Sequence, residues 1–294
     1  MACVGFIGLG AMGAPMAGHL LAAGHDLRVF ARRPEAVAAL VAQGAMACTS
    51  PAAVARGAEF VFINVTATAD VEEVLFSVDG VAAGIARGAV VIDHSTISAQ
   101  ASRRFAGRLA EQGVAFLDAP VSGGAAGAQA ARLSIMVGGD ASALERARPL
   151  LACLGATITY LGASGSGQVA KACNQIVQVV NIQGIAEAML FARAQGVDPG
   201  QMLAAISAGM AGSKMLELMG PKMAARDFAA GIESRLHQKD FGLVLEAAQA
   251  EGLGLPATAL VAQQLNALVG QGGARLDTSA LLAVLEAANG RSPG

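Results

Sequence analysis

Short apolar runs alternate with longer amphipathic stretches over the first half of the chain. The strand-like runs are CVGFIG, DLRVFA, EFVFINV, AVVIDHS, VAFLDAP, SIMVGG and TITYLG, and amphipathic segments lie near residues 13–24, 34–43, 98–112 and 141–152. Almost wholly apolar strands that alternate with helices are typical of a parallel sheet covered by helices on both faces. The pattern therefore predicts a doubly wound α/β domain.

Strand signals stop beyond about residue 163. The remaining sequence predicts helices separated by breaks at residues 196–199, 220–221 and 252–256, where Gly and Pro cluster. The stretch GASGSG at 162–167 marks the predicted boundary. We expect two domains, a doubly wound domain over 1–163 and an all-helical C-terminal domain over 164–294.

Composition narrows the class of protein. The hydrophobic fraction of 54% and the mean hydropathy of +0.53 owe much to Ala, and no uninterrupted apolar stretch reaches the length of a membrane helix. A net charge of −2 without dense basic clusters argues against nucleic acid as a partner. Strand signals begin so close to Met1 that we expect no signal peptide. The four scattered cysteines lack metal-ligand spacing and predict reduced thiols in a cytoplasmic protein without a metal.

Residues 8–16 read GLGAMGAPM and follow the first predicted strand. Gly8, Gly10 and Gly13 have the G-x-G-x-x-G spacing, and the strand, helix and second strand that a dinucleotide-binding turn requires surround them. The first glycine permits a tight turn, the second lets the backbone approach a pyrophosphate, and the third allows close helix–strand packing. A glycine-lined packing corner is the alternative. The complete unit favours a Rossmann-type cofactor site.

The second predicted strand ends in VFARRPE, without the acidic residue that recognises a ribose 2′-hydroxyl. Arg32 and Arg33 stand there instead and suit a 2′-phosphate through charge-assisted hydrogen bonds. A pair of solvated surface arginines is the alternative. We expect NADP(H) as the preferred cofactor, with NAD(H) as the alternative.

Polar loops follow three other predicted strands at the edge where α/β sheets bind ligands. Thr66, Ser95 and Thr96 offer hydroxyl and N–H groups to a cofactor. Ser122, Gly123 and Gly124 form a loop whose backbone donors can bind a carboxylate. Each loop alone is also compatible with an ordinary strand-to-helix turn.

A polar stripe lies on the predicted helix over residues 167–194. Lys171, Asn174, Gln178 and Asn181 fall at helical spacing, with Gln175 on the adjoining flank. A partly desolvated lysine has a lowered pKa and can act as an acid or base. The alternative is a polar seam against another helix or subunit, which we favour for Gln178 and Asn181. The pattern leaves both interpretations open for Lys171.

The segment HQKD at 237–240 brings His237 and Lys239 beside an acidic residue. Such clusters are usually solvated helix faces, and a lone histidine is weak evidence for catalysis. The pattern therefore assigns no catalytic role to His237.

Together these motifs resemble the β-hydroxyacid dehydrogenase family over nearly the whole chain. GFIGLGAMGAPMA is similar to its cofactor signature, DAPVSGG to its substrate loop, and GSGQVAKACNQ to its catalytic-lysine segment. LSIMVGGD, NQIVQVVNIQGIAEAMLFA, LHQKDFGLVLE and LDTSALLAVLE are most similar to members that interconvert tartronate semialdehyde and glycerate. Arg132 departs from the family pattern close after the substrate loop, which bears on substrate identity.

The resemblance implies roles for the matching positions. Lys171 would be the general acid, and Ser122, Gly123, Gly124 and Asn174 would hold the substrate. The cofactor would be bound by Gly8, Leu9, Gly10, Ala11, Met12, Gly13, Arg32, Val65, Thr66, Thr96 and Lys239. The implied activity is the NAD(P)H-dependent reduction of tartronate semialdehyde, a small carboxylated aldehyde, to the hydroxy acid glycerate.

Two alternatives remain open. One is a dehydrogenase of 3-hydroxyisobutyrate or of succinic semialdehyde and 4-hydroxybutyrate, and the other is a non-catalytic dinucleotide-binding scaffold. Apolar residues around 276–288 exceed what one helical domain needs, so we also expect a homo-oligomer, either a dimer or a tetramer.

Overall fold

The structure, a computed structural model, describes residues 1–291. Residue contacts divide the chain into two units, the first of which is Met1–Lys171 and the second of which begins at Ala172. The boundary expected between residues 163 and 164 falls in the turn before a long helix, whereas this division falls inside that helix. The two positions differ because the first turn of the helix is bonded to strand ends of the first unit.

The described residues of the first unit form nine strands, flanked by helices. The strands are β1 Cys3–Ile7, β2 Asp26–Phe30, β3 Met46–Ala47, β4 Phe60–Ile63, β5 Val90–Asp93, β6 Ala115–Asp118, β7 Val121–Ser122, β8 Leu133–Gly139 and β9 Gly155–Tyr160. The helices are α1 Gly13–Ala22, α2 Pro34–Val41, α3 Pro51–Ala55, α4 Thr68–Phe76, α5 Ala99–Ala110, α6 Gly124–Gln129 and α7 Ala141–Ala152, followed by α8 Ser166–Ala194, which runs into the second unit.

Alternating side chains of the central strands pack into cores on both faces of the sheet. On β4, Phe62 packs into one core with Met16 of α1. The next residue, Ile63, packs into the opposite core with Phe105 of α5. Successive residues of a strand point to opposite faces, so an unbroken apolar run is buried on both sides.

The sheet order is β3-β2-β1-β4-β5-β6-β8-β7, with β9 paired to β8. The strands from β3 to β6 are parallel to their neighbours, but β8 is antiparallel to both β6 and β7. The expectation of a parallel sheet is therefore wrong at this edge. The connection from β7 to β8 contains only the short α6, and parallel neighbours need a longer crossover.

The described part of the second unit is helical, which confirms the predicted fold class. After α8 come α9 Pro199–Ser207, α10 Lys214–Ala225, α11 Ser234–Ala250, α12 Pro256–Gly270 and α13 Leu281–Ala288. The predicted break at 220–221 is wrong, because α10 continues through Pro221. An internal proline costs a helix about 3 kcal/mol. Leu216 and Met223, on either side of it, are both buried in the core, and their burial offsets that cost.

The 29 residues of α8 make this helix long and apolar enough to cross a membrane by length and composition alone. Val179, Ile182, Ala186 and Met189 of α8 are instead buried in the core of the second unit, as in the central helix of a helical domain. The apolar residues near 276–288 also enter this core, where Leu281 and Leu282 are fully buried. These residues therefore give no support to an oligomer.

Candidate functional site

The glycine turn after β1 has the conformation and clearances of a dinucleotide-binding turn. Gly8 has a φ of +94°, and a Cβ on it would overlap the carbonyl oxygen of Asn64. A Cβ on Gly13 would overlap the carbonyl oxygen of Gly8, so only glycine lets α1 begin this close to the turn. A Cβ on Gly10 meets no atom within 4 Å. Gly8 and Gly13 therefore shape the turn, while the backbone of Gly10 faces open space.

A cavity of about 570 Å³ opens at this turn within the first unit. It is lined by six residues that the sequence assigned to cofactor binding, namely Gly8, Leu9, Gly10, Arg32, Val65 and Thr66. Ala11 and Met12 lead into α1, whose first turn carries neither an acidic side chain nor a side-chain cap. Its N–H groups and dipole favour an anion such as a pyrophosphate. The residues at this cavity therefore fit a dinucleotide.

Two arginines and two carboxylates also line the cavity. Arg32 and Arg33 follow β2 and are exposed, and Nη2 of Arg32 lies 3.6 Å from Oδ1 of Asp70. Oδ2 of Asp70 accepts the N–H of Ala67 at 3.0 Å at the start of α4. Asp70 and Glu73 were missed by sequence reasoning, although acidic residues in the first turns of a helix that follows a sheet strand are a readable signal.

The loop after β5 is fixed by a buried serine. Oγ of Ser95 accepts the N–H of Val65 at 2.9 Å, and the N–H of Ser95 donates to Oδ1 of Asp93 at 2.9 Å. Ser95 is 2% exposed, so its hydroxyl joins two loops instead of facing a ligand, which corrects the sequence interpretation. Thr96 follows it and is half-buried.

His94, beside this loop, is buried and neutral. Desolvation lowers the pKa of His94 to about 4, and its Nδ1–H donates to the carbonyl oxygen of Ala119 at 2.6 Å. Its ring stacks on Phe62 with the centroids 5.6 Å apart. His94 thus supports the chain that leads from β6 towards the predicted substrate loop.

That loop contains two consecutive glycines with positive φ. Ser122 ends β7 opposite Ser134 of β8, and φ is +136° at Gly123 and +62° at Gly124. Such conformations reorient successive backbone N–H groups and can form an anion-binding concavity. The structure therefore leaves this backbone suited to a carboxylate.

The polar stripe of α8 begins with Lys171, which is 8% exposed. Nδ2 of Asn174 donates to Oε1 of Gln175 at 2.8 Å and to Oε1 of Gln178 at 3.2 Å. Nδ2 of Asn181 donates to Oγ of Ser213 at 3.0 Å, so the seam against another helix is confirmed for Asn181. Lys171 is thus a buried lysine in the second turn of this helix.

The HQKD cluster on α11 is not the solvated face that its composition suggested. Nδ1 of His237 lies 2.7 Å from Oγ1 of Thr278, and the ring is buried. Lys239 forms an ion pair of 2.9 Å with Asp240, whose other oxygen accepts Nε2 of Gln175 at 2.5 Å. Within residues 1–291, no group of three or more His, Cys, Asp or Glu is placed to hold a metal.

Comparison with known proteins gives the family. Residues 3–162 match the family model described as the NAD binding domain of 6-phosphogluconate dehydrogenase. Residues 165–285 match the model described as NAD-binding of NADP-dependent 3-hydroxyisobutyrate dehydrogenase. Both halves of the chain therefore match models of nicotinamide-dependent dehydrogenases.

Individual relatives extend over almost the full length. The chain is 44% identical to the 2-hydroxy-3-oxopropionate reductase of Escherichia coli, covering 96% of this chain and 97% of the relative. It is 40% identical to an NAD-dependent L-serine dehydrogenase of Pseudomonas aeruginosa, covering 98% and 99%. The solved structure of Mycobacterium tuberculosis 3-hydroxyisobutyrate dehydrogenase with L-serine has a TM-score of 0.89 at 34% identity and covers 97% and 99%. With its glycine turn and its cavity, this chain belongs to the β-hydroxyacid dehydrogenase family and is an oxidoreductase that acts on a CH–OH group with a nicotinamide dinucleotide.

Proposed function

We propose that this enzyme reduces 2-hydroxy-3-oxopropionate (tartronate semialdehyde) to glycerate, reversibly. The observation that carries the proposal is the 44% identity, over 96% of the chain, to a reductase named for this substrate. The family assignment leaves the alternative of a non-catalytic scaffold without support.

The chain's own residues would bind the substrate and move the proton. The bound cofactor would supply the hydride to the aldehyde carbon. Lys171, which is buried, would donate a proton to the carbonyl oxygen as negative charge develops there. Backbone N–H groups at Gly123 and Gly124, with Ser122 and Asn174, would hold the carboxylate and fix which face of the carbonyl is presented.

A panel of substrates tests the reaction. We expect the highest kcat/KM with tartronate semialdehyde, above succinic semialdehyde, methylmalonate semialdehyde and glyoxylate in reduction. A higher kcat/KM with any of the others would reject the assigned substrate.

Replacement of the lysine tests the mechanism. Lys171→Ala should lower kcat about 1000-fold while the Kd for NADPH stays within about threefold, because proton transfer and cofactor binding are separate tasks. Lys214→Ala, which removes an exposed lysine paired with Glu217, is the matched control and should keep full activity. An unchanged kcat in Lys171→Ala would show that another group is the acid.

A second candidate activity is the oxidation of L-serine or 3-hydroxyisobutyrate. It is favoured by the 40% identity to an L-serine dehydrogenase and by the likeness to a 3-hydroxyisobutyrate dehydrogenase solved with L-serine. Oxidation of both compounds, measured beside glycerate at equal concentration, separates the two candidates by kcat/KM.

We propose that NADP(H) is preferred and that Arg32 recognises the 2′-phosphate. Val65, Thr66, Thr96 and Lys239 would make further contacts with the dinucleotide. Arg32→Ala should raise the Kd for NADPH about tenfold, since a charge-assisted contact is lost, and change the Kd for NADH less than twofold. Arg104→Ala, at an exposed position of α5, is the control. Equal Kd values for NADPH and NADH in the unaltered enzyme would contradict the preference.

A glycine pair tests the binding turn itself. Gly10→Ala should weaken both dinucleotides at least tenfold and leave the melting temperature unchanged, because its Cβ meets no protein atom. Gly13→Ala should instead lower the melting temperature, because its Cβ overlaps the backbone. Tight binding by a stable Gly10→Ala variant would place the pyrophosphate elsewhere.

We further propose that the domain before residue 164 binds the dinucleotide and that the helical domain supplies substrate contacts and an oligomer interface. Val177 and Phe191 of α8 are 69% and 67% exposed, which favours a surface covered by a second copy. Light scattering of the protein and of Phe191→Lys tests the oligomer. The cysteines, all of which are free, favour the reducing cytoplasm as the location.

A further inference from the structure

The buried side chain of Gln168 attaches the first turn of α8 to the loop that follows β5. Its Nε2 donates to the carbonyl oxygen of Ser95 at 2.8 Å, and its Oε1 accepts the N–H of Ile97 at 3.1 Å. Gln168 is 2% exposed, so both hydrogen bonds are shielded from water. The side-chain amide of Gln168 is therefore hydrogen-bonded to the backbone on both sides of Thr96.

A second buried side chain holds the same turn from β6. Oδ1 of Asp118 accepts the N–H of Gly165 at 2.7 Å, and Oδ2 accepts the N–H of Gln168 at 3.0 Å. A Cβ on Gly138 or on Gly167 would lie within 3.0 Å of this carboxyl group, so glycine at both positions makes room for it. Burial raises the pKa of Asp118, and the bonds from Gly165 and Gln168 act against that rise. The carboxyl group thus caps the helix and ties it to the sheet.

Lys171 stands one helical turn after Gln168, on the same side of α8. Any movement of the first turn would therefore carry the lysine with it. The loop that is hydrogen-bonded to Gln168 contains Thr96, which contacts the dinucleotide in the proposed function. The acid and a cofactor contact would then share one rigid frame, made from atoms of the first unit.

We infer that Gln168 and Asp118 are positioning residues that set the location of the Lys171 amine relative to the loop at Thr96. The inference rests on the proposed function, because the position of Lys171 affects the rate only if Lys171 is the acid. Misplacement of a reacting group by about 1 Å can cost about 100-fold in rate.

The test compares two buried glutamines of the same helix. Gln168→Met keeps the length of the side chain and removes both hydrogen bonds. Gln183→Met is the matched control, since Gln183 is 4% exposed and its Nε2 donates to Oε1 of Glu187, on the same helix, at 2.9 Å. Gln168→Met should lower kcat about 30-fold to 100-fold, with the Kd for NADPH within threefold of the unaltered value. It should also shift the pH profile of kcat and raise the primary isotope effect with 4-deuterated NADPH. Gln183→Met should change none of these.

A readout that does not depend on turnover separates this inference from the proposed function. The rate at which trace acetic anhydride acetylates Lys171, followed by mass spectrometry across pH, reports the surroundings of the amine. Gln168→Met should change that rate at least threefold, and Gln183→Met should leave it unchanged. Altered labelling combined with an active Lys171→Ala variant would reject the proposed acid and keep the positioning role.

Unaltered labelling and an unaltered pH profile in a folded Gln168→Met variant would overturn the inference. If Gln168→Met does not fold, Asp118→Asn carries the same test, because it keeps the volume and one acceptor oxygen while placing an NH₂ against a backbone donor. It should change the labelling rate and lower kcat about tenfold. Unchanged values for both would equally overturn the inference.

Discussion

The two units satisfy their buried polar side chains in different ways. In the first unit, Asp118, His94 and Gln168 bond mainly to backbone groups of loops at the sheet edge. In the second unit, Glu286 bonds to the cationic side chains of Arg193 and Arg226, while Asp277 combines one ion pair, with Lys222, with backbone N–H bonds. Side-chain bonds to backbone fix where a loop runs, which a binding site needs. Ion pairs between side chains join helices, and the backbone groups of each helix remain hydrogen-bonded within that helix.

The largest effect that this contrast predicts concerns Glu286. Its side chain is 6% exposed and accepts from Arg193 at 2.8 Å and from Arg226 at 2.7 Å. Glu286→Ala should lower the free energy of unfolding by about 3 kcal/mol or more, because two partly buried cations lose their partner. Glu145→Ala, which breaks an exposed pair with Arg148, should cost far less, because solvent screens that pair. An equal loss in the free energy of unfolding for Glu286→Ala and Glu145→Ala, measured by urea unfolding, would contradict this difference between buried and exposed ion pairs.

His94 gives the first unit an acid sensitivity of its own. Its pKa is about 4 in the folded protein and 6.5 for a histidine in the unfolded chain. Between these pH values the unfolded state binds a proton that the folded state does not bind. Its contribution to stability is complete above pH 6.5 and is lost as pH falls towards 4, by about 3 kcal/mol in total. His94→Leu should flatten the free energy of unfolding over this range. Parallel pH curves for the variant and the unaltered protein would contradict the assignment.

Asp277 makes the stability of the second unit sensitive to acid. Burial alone raises the pKa of Asp277, but N–H bonds from Ser279, Gly231 and Ile232 together hold it below its usual range. Its contribution is therefore present above about pH 4 and is lost as pH falls through the folded pKa. Asp277→Asn should cost about 1–2 kcal/mol at pH 7. The difference from the unaltered protein should shrink below pH 4 in urea unfolding, and a constant difference would speak against ionised Asp277.

The smallest effect concerns Asp70, which pairs side chain to side chain in the first unit. Asp70→Asn keeps an acceptor for the N–H of Ala67 and removes the negative charge beside Arg32. The Kd for NADPH should fall about threefold, with a smaller change for NADH, because Arg32 is then free to bind a phosphate. Glu72→Gln, on the same helix and paired with Arg108, is the control. Weaker NADPH binding by Asp70→Asn would mean that Asp70 orients Arg32.

Local patterns predicted much of the fold. All seven strand-like runs are strands, and the four amphipathic segments contain α1, α2, α5 and α7. The two-residue strands β3 and β7 were missed because two residues carry no detectable period. The break at Pro221 was wrong because core burial on both sides of a proline cannot be seen in a local pattern.

The candidate site was predicted less evenly. The glycine turn was readable because its geometry depends on neighbouring residues and requires glycine. Ser95 was interpreted as a ligand group because a hydroxyl in a sequence shows nothing about its burial. Gln168 was missed because its partners at Ser95 and Ile97 lie more than 70 residues away.

The sequence by itself determined the seven longer strands, four of the helices between them, the glycine turn and the helical stripe that carries Lys171, since each depends on residues within a few turns of one another. Only the tertiary structure decided the direction of β8, the burial of residues near 276–288 and the anchoring of α8 by Asp118 and Gln168. These features depend on which distant segments meet. The local period of the sequence determines which face of a helix or strand is apolar. The tertiary packing of the chain determines which other element covers that face.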